Sequence, residues 1–336
     1  MRSLLIKGSN ILHSPRYTLA NGYEMPGFAL GTFLGFDERG VVKSKNKELR
    51  NAVSNALDLG YRHIATASIY DTEAEVGEAI NLKIKQQIVK RENVFVTSQL
   101  WNTAHEKGQV HNAIRQTLNK SGLDYVDLYL MHWPIGLNKD YSFSKVDYME
   151  TWRGMEEIQR LGLAKSIGLS NFNKGQVQRV MSESTIKPVA LQIEVHPQMV
   201  QHELLEFCNN EKLVVMGFSP LGSLARRFSM DGPRPKANDP ILLELAEKYK
   251  KTPVQIVLRW AVDRGVVPVP KSVTCTYLAE NIDIFDFCLL PEELQKINKL
   301  DSNTRYTHPS FWQDHPHYPF DKVENPIPTD PFKSFS

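Results

Sequence analysis

Two side chains that could carry acid–base chemistry, Tyr70 and His132, and one amide, Gln99, lie at or after the ends of three successive apolar segments of the chain. A phenol and an imidazole can each donate a proton or a hydrogen bond to an oxygen on which negative charge develops, and an amide can hydrogen-bond such a donor. If the apolar segments are neighbouring parallel strands of a barrel, their carboxyl ends meet at one mouth. The order of these residues therefore predicts one cluster, delivered by three strands.

Apolar periodicity predicts the elements that must position this cluster. Short apolar runs alternate with amphipathic stretches, which is typical of βα units around a parallel sheet. The predicted strands are 29–33, 63–67, 94–100, 126–133, 166–170, 189–194, 214–219 and 266–269. The predicted helices are 46–59, 73–83, 107–120, 145–161, 174–182, 201–209, 240–249 and 253–264. Eight alternating units predict an α/β fold, a (β/α)8 TIM barrel, with a doubly wound open sheet as the alternative.

Two segments outside the repeating units complete one predicted domain over residues 1–336. Residues 17–25 contain the turn signal Ala-Asn-Gly between alternating runs, which predicts an N-terminal β-hairpin at the bottom of the barrel. The barrel is expected over about 15–300, and a long C-terminal loop over about 301–336. Aromatic residues and prolines in that loop predict that it packs on the barrel without forming a helix. A disordered end is the alternative for its last ten residues.

The composition favours a small-molecule partner. With 40 Lys+Arg against 38 Asp+Glu the formal net charge is +2, so binding to nucleic acid or to a membrane surface through net charge is not expected. No run approaches the ~20 apolar residues of a membrane span. The three cysteines lack the spacing of a disulfide framework. The apolar run before Lys7 is too short for the core of a signal peptide, so we expect no secretory leader. We expect a cytoplasmic monomer.

Short motifs of several other enzyme classes are missing from the sequence. No G-x-G-x-x-G follows a predicted strand and no Walker loop occurs, so a Rossmann or P-loop nucleotide site lacks support. Residues 217–222 miss the G-x-S-x-G spacing of serine hydrolases by one residue. No H-E-x-x-H occurs, and His315 and His317 are too isolated to predict a metal site.

Three segments together resemble the active-site segments of the aldo-keto reductases, which reduce carbonyl groups with a nicotinamide hydride. The segments are 60–70 (GYRHIATASIY), 95–101 (FVTSQLW) and 130–134 (LMHWP), within a resemblance over about residues 15–320. In that family an Asp, a Tyr, a Lys and a His act together. The resemblance implies that Tyr70 is the proton donor and that His132 is a neutral donor orienting the carbonyl.

The Asp and Lys positions of the family pattern are Ala65 and Gln99 in this chain. In the family the Lys lowers the pKa of the tyrosine and is held by the Asp. Loss of the Asp alone would leave a buried ammonium unpaired, at a cost of about 3–5 kcal/mol. The pair found here is neutral, and the Gln99 amide can still hydrogen-bond Tyr70. An unperturbed tyrosine titrates near ~10. We therefore expect carbonyl reduction to continue at a lower rate, and the rate of alcohol oxidation to fall further.

The resemblance also implies an NADPH/NADP+ site along the last strands. Ser170 and Asn171 would hold the nicotinamide carboxamide, and Phe218 would stack on the nicotinamide ring. The family's arginine near the adenine falls on the uncharged Tyr277, which leaves Lys271 as the main discriminator of NADPH over NADH. The predicted cofactor residues are Gly31, Thr32, Ser170, Asn171, Gln192, Phe218, Ser219, Leu221, Ser223, Lys271, Ser272, Val273, Thr274, Tyr277, Glu280 and Asn281.

An apolar substrate pocket completes the predicted site. Its expected lining residues are Phe33, Ile69, Trp101, Trp133, Phe228 and Trp312. Such a lining favours an apolar aldehyde, ketone or steroid-like carbonyl. The predicted function is NADPH-dependent carbonyl reduction with weakened or substrate-restricted turnover. The alternatives are a catalytically silent NADP(H)- or ligand-binding homologue, and a structural barrel protein without a cofactor.

Overall fold

Eight parallel strands form a closed barrel within the described residues. The structure, a computed structural model, describes residues 14–36, 47–225, 238–328 and 330–335. The strands are β1 (Arg16–Thr18) and β2 (Glu24–Pro26) in an N-terminal hairpin, and β3 (Leu30–Gly31), β4 (His63–Ala65), β5 (Phe95–Leu100), β6 (Val126–Met131), β7 (Ala164–Ser170), β8 (Ala190–Glu194), β9 (Val214–Phe218) and β10 (Val266–Val269) in the barrel. Closure joins β3 to the end of β10, where Gly31 N donates to Pro270 O over 2.9 Å. The predicted (β/α)8 barrel is confirmed, and the open sheet is excluded.

Helices cover the outside of the barrel. They are α1 (Lys47–Asp58), α2 (Glu73–Lys85), α3 (Lys107–Ser121), α4 (Tyr148–Arg160), α5 (Lys174–Glu183), α6 (His202–Asn210), α7 (Pro240–Tyr249), α8 (Pro253–Asp263), α9 (Cys275–Ile282) and α10 (Pro291–Asn298). No prediction covers α9 or α10. A start signal for α10 is present in the sequence, because Pro291 is its first residue and Glu293 Oε2 accepts from Leu290 N at 2.8 Å. None of the helices in the described ranges is long and apolar enough to cross a membrane.

Side-chain caps set helix starts that periodicity places only approximately. The predicted helix 145–161 begins at Tyr148, because Asp147 Oδ1 accepts a hydrogen bond from Met149 N at 2.8 Å. Thr252 starts α8 in a capping box with Gln255, directly before a proline at the first helical position. Caps of this kind fix where a connecting loop ends, and therefore which residues remain at the barrel mouth.

The N-terminal hairpin closes the bottom of the barrel, as predicted. β1 and β2 pair antiparallel with Arg16 opposite Pro26. Leu19 and Met25 are buried in one cluster with barrel-interior side chains such as Leu128. Because apolar side chains exclude water from this end, a polar ligand has access from the opposite end, where the carboxyl ends of the strands lie.

The segment after α10 is a long loop held by two buried carboxylates, one that joins it to the barrel and one within the loop itself. Glu194, at the end of β8, accepts hydrogen bonds from Tyr306 N (2.7 Å) and Thr307 N (2.9 Å). Farther along, Asp330 Oδ2 accepts from Trp312 Nε1 at 2.8 Å. The predicted C-terminal loop is confirmed, and the described residues among the last ten fold back on it.

Candidate active site

A cavity of about 850 Å³ opens at the carboxyl ends of the barrel strands, a volume typical of sites for small organic ligands. Ala65, Tyr70, Gln99 and His132 all line it. Ala65 and Gln99 lie on β4 and β5, His132 directly follows β6, and Tyr70 ends a short turn after β4. The structure thus brings together the four residues that the sequence analysis assigns to catalysis. The ends of β7 to β10 line the same cavity, which therefore spans the barrel mouth.

Tyr70 ends a single 3-10 turn, Ser68–Tyr70, that follows β4. The turn stops at Asp71, whose left-handed φ of 48° reverses the chain and leaves the phenol at the cavity. Tyr70 is half-buried, and burial raises the pKa of its hydroxyl above the usual value. Within the described chain this hydroxyl makes no hydrogen bond, so it is a protonated phenol available to a ligand.

His132 lies beside Tyr70, with ring centroids 5.9 Å apart and nearly perpendicular planes. It is 8% exposed, and burial lowers its pKa to about 3, so the imidazole is neutral at physiological pH. Its Nδ1 is buried without a hydrogen-bond partner among the described residues, which leaves Nε2 as the nitrogen that faces the cavity. Asn171 Nδ2 donates to the carbonyl oxygen of His132 at 3.0 Å and fixes the backbone there.

Gln99 does not form the hydrogen bond to Tyr70 that its amide would allow. Its Nε2 donates to Gln192 Oε1 at 3.0 Å, and its Oε1 has no hydrogen-bond partner within the described residues. The N–H donor of Gln99 is thus engaged by Gln192 and not by Tyr70. Ala65, 4% exposed, places only a methyl group at the cavity. No described cation therefore lies against the Tyr70 hydroxyl.

Residues at the ends of β7 and β8 form a polar side of the cavity. Ser170 Oγ donates to Gln192 O at 3.1 Å. Asn171 has a left-handed φ of 60°, and its Nδ2 also reaches Ser170 Oγ at 3.2 Å. The side-chain N–H groups of Asn171 are engaged with His132 and Ser170. The side-chain oxygen, Oδ1, is therefore the group left for a ligand.

Polar residues continue along the cavity from β10 to α9. Lys271 is exposed, and its ammonium engages no other described side chain in a hydrogen bond or ion pair. Ser272 Oγ accepts from Thr274 N at 3.2 Å just before α9 begins. Asn281 is 3% exposed, and its Oδ1 is buried without a partner in the described structure. This side of the cavity can therefore receive an anion at Lys271 and a hydrogen-bond donor at Asn281.

The predicted ligand-binding residues divide into those at the cavity and those away from it. Residues from the predicted set that line it are Gly31, Thr32, Phe33, Ile69, Trp101, Trp133, Ser170, Asn171, Gln192, Phe218, Ser219, Leu221, Lys271, Ser272, Val273, Thr274, Tyr277 and Asn281. Glu280 is not among the described lining residues, and its Oε1 accepts from Thr252 Oγ1 at 2.7 Å. Trp312 lies behind the lining, packed on Trp101 and Trp133. Phe228 and the side chain of Ser223 lie outside the described residues.

An aromatic wall, defined here as Phe33, Phe36, Trp101 and Phe332, closes the cavity beside Tyr70. Phe33 packs 4.9 Å from Tyr70, Phe36 packs 5.6 Å from Phe33, and Phe332 bridges Phe36 (5.5 Å) and Trp101 (4.8 Å), all between ring centroids. Phe36 and Phe332 were not predicted. For Phe332 the reason is that no fixed spacing relates the end of the chain to a strand. The aromatic content of the tail was the available signal. The wall makes this side of the cavity apolar.

No described group of three or more His, Cys, Asp or Glu residues is placed to hold a metal ion. At the cavity a phenol and a neutral imidazole lie side by side at an apolar wall, with polar and cationic groups farther along. Such an arrangement suits proton donation to a ligand oxygen.

Comparisons with known proteins agree with this geometry. Residues 29–302 match the Aldo/keto reductase family. The chain is 44% identical over 310 residues to Aldo-keto reductase AKR2E4 of Bombyx mori (92% of this chain, 99% of that protein), and 42% identical over 323 residues to Aldo-keto reductase family 1 member A1 of Gallus gallus (90% and 96%).

Solved structures extend the likeness to the whole fold. The crystal structure of AKR2E4 in complex with NADP superposes with a TM-score of 0.86, covering 92% of this chain and 99% of that chain at 44% identity. Aldo-keto reductase AKR2E5 complexed with NADPH, a silkworm protein, gives 0.90 at 38% identity, covering 95% and 97%. The protein described here belongs to the aldo/keto reductase family.

Proposed function

We propose that this protein reduces aldehydes or ketones to alcohols with NADPH, and that Tyr70 is the proton donor. The observation that carries the proposal is the phenol of Tyr70 beside the neutral imidazole of His132, 5.9 Å apart between ring centroids, in one cavity with Lys271. Membership of the aldo/keto reductase family makes the protein an NADP-dependent oxidoreductase. The identity of the carbonyl and the role of each residue belong to the proposal.

The residues at the cavity fit NADP(H). The side-chain oxygen Oδ1 of Asn171 can accept a hydrogen bond from the carboxamide N–H of a nicotinamide. The Oδ1 of Asn281, which has no described partner, can accept one from an adenine amino group. The ammonium of Lys271 suits a 2′-phosphate. The AKR2E4 and AKR2E5 structures contain NADP and NADPH. When bound, the cofactor supplies the hydride that reduces the carbonyl carbon.

Tyr70 and His132 interact with the carbonyl oxygen of the substrate. Negative charge develops on the carbonyl oxygen, and Tyr70 gives its hydroxyl proton to that oxygen while His132 Nε2–H donates a hydrogen bond. The aromatic wall excludes water, which strengthens both interactions. The phenolate left on Tyr70 regains its proton from solvent before the next turnover.

The substitutions at Ala65 and Gln99 support weakened or substrate-restricted turnover. Without a described cation at its hydroxyl, Tyr70 is a weaker acid, because burial raises its pKa. The same observation favours the second candidate function, a catalytically silent NADP(H)- or ligand-binding homologue. Positioning by the cavity can still supply a large part of catalysis, so we place reduction first.

The aromatic wall supports an apolar aldehyde, ketone or steroid-like carbonyl as substrate. We also propose a single-domain, monomeric, cytoplasmic enzyme, in keeping with the near-neutral charge and with three cysteines that form no disulfide. The test is consumption of NADPH by the wild type with a panel of aldehydes and ketones of graded size and polarity. NADPH binding with turnover of apolar members supports the proposal, binding without turnover favours the silent homologue, and absence of NADPH binding contradicts both.

Reduction and oxidation are expected to respond differently to pH. Reduction uses the protonated phenol, and burial raises the pKa of Tyr70, so kcat for reduction should stay flat from about pH 6 to about pH 9. His132, with a pKa of about 3, stays neutral throughout. Alcohol oxidation needs the phenolate, whose fraction rises about tenfold per pH unit below the pKa. Initial rates in both directions, measured across this range, check the expectation, and a reduction rate that falls from pH 6 to pH 8 would contradict it.

Lys271→Met is expected to weaken NADPH binding by about 10- to 150-fold and to leave NADH binding nearly unchanged. A charge-assisted contact contributes about 1.5–3 kcal/mol, and only NADPH carries the 2′-phosphate. Titration of both nucleotides by calorimetry measures the two Kd values. The exposed Lys299, which does not line the cavity, provides the control Lys299→Met. Equal weakening of NADPH and NADH binding would show that Lys271 does not bind the 2′-phosphate.

A further inference from the structure

Gln99 and Gln192 form an amide–amide hydrogen bond across the barrel mouth. Gln99 Nε2 donates to Gln192 Oε1 at 3.0 Å. The two residues lie on β5 and β8, which are not neighbours, since β6 and β7 separate them in the sheet. Both side chains are almost fully buried, at 2% and 4% exposed, and both line the cavity. The bond therefore joins two sides of the site through its interior.

This bond is the strongest contact that the Gln192 amide makes among the described residues. Gln192 Nε2 has only the weak acceptor Met216 Sδ, 3.9 Å away. The backbone of Gln192 is held separately, because its carbonyl oxygen accepts from Asn171 N (2.9 Å) and Ser170 Oγ (3.1 Å). Gln99 thus holds the amide oxygen of Gln192 from across the site, while Ser170 and Asn171 hold its backbone carbonyl.

We propose that Gln99 is a positioning residue that acts through Gln192 to pre-organise the nicotinamide end of the NADP(H) site. The inference rests on the proposed function, since it requires the nicotinamide to lie at Ser170, Asn171 and Gln192. A long polar side chain that is fixed before binding loses less conformational freedom when the ligand arrives. The substitution at position 99 therefore has a role of its own at the cofactor, separate from any effect on the acidity of Tyr70.

Gln99→Met is the test, because methionine has nearly the same length and shape but cannot donate to Gln192. We expect the Kd of NADPH to rise by about 2- to 10-fold, the range of one intramolecular hydrogen bond. The Kd of adenosine 2′,5′-bisphosphate, which has no nicotinamide, should not change. Both constants are measured by calorimetry on the full chain, so the result does not depend on turnover.

A matched control and a double-mutant cycle separate positioning from general damage. Thr97→Val removes another buried hydrogen bond of β5, that of Thr97 Oγ1 with His63 Nε2 at 2.8 Å, but Thr97 does not line the cavity. It is expected to lower the melting temperature without changing the Kd of NADPH. In a Gln192→Met background, Gln99→Met should have no further effect on NADPH binding.

Three results would overturn the inference while leaving the proposed function intact. They are an unchanged Kd of NADPH in Gln99→Met, an equal loss of adenosine 2′,5′-bisphosphate binding, and an effect that persists in the Gln192→Met background. A wild type that binds the bisphosphate and NADPH with equal affinity would also overturn it, because the nicotinamide end would then contribute nothing. Failure of the wild type to bind NADPH at all is a different result, which removes the proposed function and this inference with it.

Discussion

Tyr70→Phe is expected to lower kcat/KM for NADPH-dependent carbonyl reduction by about 10²- to 10⁴-fold, the contribution of a positioned general acid. The variant keeps the ring that packs against Phe33 and His132 and removes only the hydroxyl. Because that hydroxyl makes no hydrogen bond within the described chain, its loss should leave the melting temperature unchanged. NADPH binding should also persist, since the proposed cofactor contacts lie on other residues.

Tyr61→Phe is the matched control for this prediction. Tyr61 is buried, and its hydroxyl donates to Leu278 O at 2.9 Å away from the cavity. Its loss should lower stability by about 0.5–1.5 kcal/mol and leave kcat/KM unaffected. If Tyr70→Phe retained the wild-type rate, the proton would have to come from another group, and the assignment of Tyr70 as the acid would be wrong.

Restoring both charged positions, in Ala65→Asp with Gln99→Lys, is expected to raise the rate of reduction by about 10²-fold and that of alcohol oxidation by more. An ammonium beside Tyr70 would lower the pKa of the phenol and make it both a better acid and a more accessible base. The Asp is needed to hold that ammonium. Initial rates in both directions, compared with those of the wild type at the same pH, measure the gain.

Gln99→Lys alone is the informative partner of this double variant. It would bury an ammonium at a position that is 2% exposed without a carboxylate to pair with it, which is expected to destabilise the fold by about 3–5 kcal/mol. The double variant should recover most of that loss in thermal unfolding. A double variant that is stable and binds NADPH but gains no rate would show that turnover is limited by something other than the acidity of Tyr70.

The order and type of the elements could be predicted from local sequence. The ends of the helices could be placed only approximately. Strand β5 is nearly all apolar or small and lies between clear helical segments, so its existence and type follow from the pattern. The start of α4 is set instead by one side chain, Asp147, which caps the helix. Apolar periodicity alone predicts an earlier start. Helix α9 is short, and a short helix gives too few turns for a period to stand out.

The residues at the cavity also divide into those that local sequence predicts and those whose contacts depend on the tertiary structure. Tyr70 and His132 could be predicted because each lies just beyond the end of a strand, Tyr70 after one short turn, and the barrel brings strand ends together. The partner of Gln99 could not, because the choice between Tyr70 and Gln192 depends on distances across the barrel, between residues 93 apart in sequence. Phe332 could not be placed either, since its contact with Trp101 arises from the folding back of the chain end.

By itself, the sequence determined the eight alternating units, the resemblance to the aldo-keto reductases and the presence of Ala65 and Gln99 where a charged pair is expected. These features are set by local periodicity and residue identity, which need no coordinates. Only the tertiary structure decided that the Gln99 amide turns to Gln192, that the hydroxyl of Tyr70 stands alone among the described residues, and that Phe332 helps to close the cavity. Each of these depends on which groups are close in space, and proximity between distant parts of a chain is a product of packing.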